Sequence, residues 1–102
     1  MPWIDVAAVD EIPPDDRATV EIDGRFVAVF NVGGEFLAIE DVCTHDGGDL
    51  AGGIVEDDQV ICPRHGARFC LRTGAALSPP AYEAVRSYRT RVAHGRVEVF
   101  GE

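Results

Sequence analysis

Apolar positions along this chain recur in short alternating stretches, not at helical spacing. Runs over residues 19–22, 26–32, 36–39, 60–62, 67–71, 88–92 and 97–100 are rich in Val, Ile and Phe and end at turn residues. Period-2 patterning in β-branched and aromatic residues predicts strands. Asp23-Gly24, Gly33-Gly34 and His94-Gly95 lie between such runs, where two-residue hairpin turns need positive φ. No segment keeps a helical period for long. Residues 7–12 predict one short helical turn, which Pro13-Pro14 would stop. The pattern predicts an all-β chain assembled from antiparallel hairpins.

Two stretches break the alternation. Residues 43–53 carry Gly47, Gly48, Gly52 and Gly53, and residues 62–66 read Cys62-Pro63-Arg64-His65-Gly66. A third irregular piece is Ser78-Pro79-Pro80-Ala81. Neither an internal repeat nor a linker is visible, so the 102 residues predict a single domain, 1–102, with a modest core. In a core of that size a bound metal contributes appreciably to stability.

The formal charge of −9 excludes a nucleic-acid carrier, because phosphate binding needs a basic footprint. It suits steering toward a partner with a basic docking patch. Eight carboxylates and no Lys or Arg fall between Glu35 and Asp58, and arginines become frequent from Arg64 onward. The acidic run reads first as a solvated face, with docking as the alternative. No apolar run approaches the roughly 18 residues of a membrane span, and the first residues lack the pattern of a secretory signal. Three cysteines, Cys43, Cys62 and Cys70, are too few and odd in number for a disulfide framework. The expected setting is reducing and cytoplasmic.

Each of the first two irregular stretches holds one Cys and one His: Cys43-Thr44-His45, then, after sixteen residues, Cys62-Pro63-Arg64-His65. Two thiolates and two imidazoles complete a ligand set for a transition-metal centre, and the neighbouring glycines let backbone approach a bulky inorganic group. Zinc accepts such a set. So does a [2Fe–2S] cluster with Cys₂ on one iron and His₂ on the other. Zinc modules usually pair like ligands, as in C-x₂₋₄-C followed by H-x₃₋₅-H. Here each loop supplies one ligand of each kind, which favours the cluster.

C-x-H, sixteen residues, then C-x-x-H-G resembles the Rieske motif, and the likeness extends along essentially the whole chain. It implies a fold of three layered antiparallel β-sheets with a cluster-binding subdomain at about 41–82, and one [2Fe–2S] cluster. Cys43 and Cys62 would bind the inner iron and His45 and His65 the outer one, with the imidazole edges as the electron exit. Residues 78–81 look like the proline loop that shields the cluster in this family.

Rieske subunits of cytochrome bc-type complexes carry an additional Cys in each loop, joined as a disulfide. The matching positions here are Gly48 and Arg64. The Ser and Tyr that donate to sulfur in those subunits are matched by Ala67 and Phe69. Without those donors the reduced cluster is less stabilised, which predicts a potential in the lower half of the Rieske range of about −150 to +300 mV. The chain therefore resembles the soluble Rieske ferredoxins, which pass one electron from a flavin-dependent reductase to a terminal oxygenase and catalyse nothing alone. Other readings are the small subunit of a nitrite-reductase-like enzyme, a ferredoxin associated with iron–sulfur cluster assembly, and a structural zinc module. Arg64 and Arg68 are expected either as solvated loop residues or as a positive collar around the cluster tip. Cys70 is expected to be a buried or half-buried thiol, His94 a turn residue, and Trp3 and Tyr82 packing residues.

Overall fold

Three antiparallel sheets account for the alternation in a computed structural model that describes residues 2–101. The strands are β1 (Trp3–Ala8), β2 (Arg17–Ile22), β3 (Arg25–Val32), β4 (Glu35–Glu40), β5 (Ile54–Glu56), β6 (Gln59–Ile61), β7 (Arg68–Cys70), β8 (Ser87–Tyr88), β9 (Thr90–Ala93) and β10 (Arg96–Phe100). They pair in the orders β1-β10-β9, β2-β3-β4-β8 and β5-β6-β7.

The four-stranded sheet is the middle layer, as the alternation of β3 makes clear. Val27 and Val29 join Ile12, Val97 and Val99 in one core. Ala28 and Phe30 point the other way, into a core with Leu50, Val60, Phe69, Cys43 and Cys62. Successive side chains of a strand face opposite sides of its sheet, so a strand with a core on each face is buried without interruption, as in Val27 to Asn31. Each large apolar side chain so buried contributes about 1.5–3 kcal/mol.

All three expected hairpin turns occur with both central residues at positive φ: Asp23 and Gly24 at 50° and 81°, Gly33 and Gly34 at 61° and 94°, His94 and Gly95 at 54° and 75°. The short helical turn is a 3₁₀ turn at Val9–Glu11. Three features depart from the sequence pattern. β1 pairs with β10 from the far end of the chain, Trp3 opposite Phe100, and a bulge between Asp5 and Ala7 explains its poor alternation. β5 is only three residues long, with Ile54 exposed. The single run at 88–92 divides at Arg89, where the chain passes from β4's neighbour β8 to β10's neighbour β9.

One arginine ties the middle sheet to the loop after β4. Arg17 Nη1 donates to the carbonyls of Ala51 and Gly53, and its guanidinium lies 5.1 Å from the Phe30 ring centroid.

Candidate metal centre

Both Cys–His loops fold on one hydrogen-bonded frame. In the first, the Cys43 N–H donates to Gly48 O and the Gly47 N–H donates to Cys43 O, both at 2.7 Å. In the second, the Cys62 N–H donates to Ala67 O at 2.7 Å and the Gly66 N–H to Cys62 O at 3.0 Å. The fifth residue of each frame, Gly47 or Gly66, has φ 77°, a conformation that favours glycine. This frame turns each cysteine inward. Cys43 and Cys62 are buried in the core beneath the loops, whereas His45 and His65 are exposed.

The imidazole rings stand edge to face with centroids 5.0 Å apart. The Cys43 and Cys62 sulfurs and an Asp46 carboxylate oxygen lie within 4.8 Å of one another, and Asp46 Oδ2 is 3.6 Å from His65 Nδ1. Burial pushes the Cys43 thiol above its ordinary pKa, while backbone N–H groups of His45 and Asp46 oppose the rise. Asp46 is held well below the usual carboxylate range, first by the Arg64 guanidinium and then by the Gly48 N–H. Two apolar-walled thiols beside two solvent-facing imidazoles, with charged groups close at hand, form a donor set that fits a [2Fe–2S] cluster.

The surroundings correct two expectations and sharpen a third. Arg64 is no open positive collar: Nε donates to Asp46 Oδ2 at 2.6 Å and Nη2 to Asp49 O at 2.7 Å. Arg68 is likewise occupied, pairing with Glu56 at 2.9 Å. The run of eight carboxylates stays largely at the surface, as a solvated face does, and five of its members meet arginines. Arg64 takes Asp46 and Asp49, Arg68 takes Glu56, and Arg72 takes Glu35 and Asp58. The arginine-rich half of the chain folds back on the acid-rich half. Tyr82 is not a packing residue, being 81% exposed between buried Ala81 and Val85. Trp3 does pack, edge to face on Phe100 at 5.1 Å.

Sequence reasoning passed over Asp41, Thr44 and Asp46. Asp41 Oδ1 accepts the N–H groups of Leu50 and Ala51, fixing the glycine-rich loop. The Thr44 hydroxyl donates to Glu83 O at 2.6 Å, joining that loop to the segment after Pro79-Pro80. The available signal was short polar side chains within and just before the glycine-rich loop, Asp46 directly beside Gly47. Residues 78–81 do lie against the site, since Ala81 shares the core of the two cysteines.

The Rieske [2Fe-2S] domain profile matches residues 2–89. The chain belongs to the Rieske family. Members bind one [2Fe–2S] cluster, and the work of this chain is electron transport. The biphenyl dioxygenase ferredoxin subunit of Pseudomonas sp. (strain KKS102) is 42% identical over 93 residues, 90% of this chain and 85% of that protein. A chain in the complex of reduced oxygenase and oxidized ferredoxin in carbazole 1,9a-dioxygenase superposes with TM-score 0.93 at 34% identity, covering 99% of this chain and 94% of that one. A putative NADH-dependent nitrite reductase small subunit from Mycobacterium tuberculosis gives TM-score 0.85 at 30% identity, covering 95% and 92%. It is the weaker likeness. Among the described residues, no helix is long and apolar enough to cross a membrane.

Proposed function

We propose that this Rieske protein carries single electrons from a flavin-dependent reductase to a terminal oxygenase, with Cys43, His45, Cys62 and His65 as the cluster ligands. The observation that carries the reading is the polarity of the site: both cysteines are in the core and both histidines face solvent. When bound, the cluster supplies one-electron oxidation and reduction. The protein's own contribution is positional. Cys43 and Cys62 hold the inner side away from water, and Ala81 and Val85 wall that side. His45 and His65 present ring edges at the surface, the shortest route to a docked partner. The dioxygenase relatives support an oxygenase as acceptor.

The protein has no substrate of its own, and it works in the cytoplasm as one domain, 1–102, whose cluster-binding subdomain spans about 41–82. The nitrite reductase small subunit supports a second reading, in which the same site serves a larger reductase.

The test is reconstitution: a flavin-dependent reductase, this protein and a ring-hydroxylating oxygenase, with hydroxylated product measured against NADH consumed. Product that requires this protein supports the reading. Restored nitrite reduction with a large reductase subunit, and no oxygenase product, would replace it by the second.

A further inference from the structure

The two ligand-bearing loops are joined at their roots but not by backbone at their tips. Ile54, where the first loop ends, pairs with Ile61, where the second begins. Beyond that pair, no backbone hydrogen bond joins residues 43–49 to residues 62–66 among the described residues, and at the loop tips Arg64 supplies the bonds that do, beside the Asp46–His65 contact at 3.6 Å. Its guanidinium reaches a carboxylate, Asp46, and a backbone carbonyl, Asp49 O. Asp46 in turn accepts the Gly48 N–H through its other oxygen at 2.9 Å.

Gly48 shows how closely this arm fits. A Cβ there would fall 2.6 Å from Arg64 Nη2 and 2.7 Å from Nε, distances that a side-chain atom essentially never tolerates. The backbone at Gly48 is outside the left-handed region, so a side chain there meets no torsional strain, and what would have to move is the far end of the Arg64 side chain. Arg64 thus lies flat on the bare backbone of the opposite loop, with its charge consumed by Asp46 and Asp49. A residue so engaged is poorly placed to read a partner and well placed to keep two loops together, because ordering a loop costs conformational entropy that some contact must offset.

We propose that Arg64 is a positioning residue, a clasp seated on Gly48 that holds the two loops shut and sets how firmly the cluster is retained. The proposal rests on the reading that these loops hold the cluster. It removes Arg64 from the recognition surface, and it means that a side chain at Gly48 must push the guanidinium off its seat.

The test compares wild type, Arg64→Ala, Gly48→Ala and the double variant, following decay of the visible absorption in the presence of an iron chelator. Gly48→Ala keeps every wild-type charge and displaces the guanidinium sterically. Either single variant should shorten the half-life of the cluster about 10- to 100-fold, the usual effect of removing groups that support metal ligands. The double variant should be no worse than the singles, because both remove one contact. Arg64→Lys should restore part of the loss, since an ammonium can meet Asp46 but lacks the planar fork. Far-ultraviolet circular dichroism of each variant reports whether the sheets are intact. Release from Arg64→Ala within about twofold of wild type, or additive effects in the double variant, would overturn the clasp. A wild-type protein that binds no iron at all would instead overturn the ligand reading beneath it.

Discussion

The Cys62 loop and the turn at Cys70 share one backbone frame, yet only the first carries a histidine and faces a second such frame. At Cys70 the N–H donates to Ala75 O at 2.9 Å, the Gly74 N–H donates to Cys70 O at 2.8 Å, and Gly74 has φ 80°. C-x₃-G-[GA] therefore occurs three times: Cys43 to Gly48, Cys62 to Ala67 and Cys70 to Ala75. What differs is the company. The first two frames face each other, and each carries a histidine. The third carries none and closes on the segment before β8, where the Val85 N–H donates to Gly74 O at 2.8 Å. The frame places a sulfur; a facing loop and a histidine make it useful.

The thiols respond accordingly. Burial dominates at Cys43 and raises its pKa. Burial acts in the same sense at half-buried Cys70, but the Thr73 hydroxyl and the Thr73 and Arg72 N–H groups outweigh it and bring that thiol below its ordinary value.

The largest way to break this comparison is to remove the sulfurs one at a time. Cys43→Ser and Cys62→Ser should each abolish stoichiometric iron, whereas Cys70→Ser should retain it, measured as iron per chain. Iron loss in Cys70→Ser would make the third frame part of the site. Next come the glycines. Gly66→Ala meets open space and should cost only the left-handed strain, about 1–2 kcal/mol. Gly74→Ala adds a clash with the Val85 carbonyl oxygen and should lower the unfolding midpoint further. Equal midpoints would mean that Val85 yields freely.

A smaller effect is electronic. Ala67 and Phe69 are fully buried and offer no hydroxyl, so Ala67→Ser and Phe69→Tyr should each raise the reduction potential. Protein-film voltammetry on wild type should give a value below about +75 mV, the middle of the Rieske range. A value above about +150 mV would contradict the account of these two positions.

The smallest expected effect lies away from the site. Hydrogen bonding from Arg72 holds Glu35 below its ordinary pKa of 4.5. A depressed carboxylate contributes stability that is full above its unfolded pKa and is lost as pH falls through the folded one. Carboxyl-carbon NMR should find Glu35 titrating below 4.5 in wild type and near 4.5 in Arg72→Ala. An unshifted Glu35 in wild type would mean that solvent screens the pair.

Much of this architecture is legible in the sequence because the signals are local. Period-2 runs and paired turn residues mark hairpins, and a Cys and a His within three positions mark each loop. What escapes is what depends on distant partners. β1 is recruited by β10 across the whole chain, and the run at 88–92 divides because each half has a different neighbour. The acidic segment reads as a solvated face, and its ion pairs appear only when Arg64, Arg68 and Arg72 fold back on it. Tyr82 looks like a packing residue until Ala81 and Val85, on either side, take the buried places.

Electron paramagnetic resonance of the purified protein, before and after dithionite, with iron and zinc analysis on the same sample, tests the central claim most directly. The account predicts two irons per chain, silence when oxidised, and on reduction the rhombic signal of low average g expected of an iron held by two imidazoles. One zinc per chain and no signal, in protein prepared without loss of iron, would contradict it.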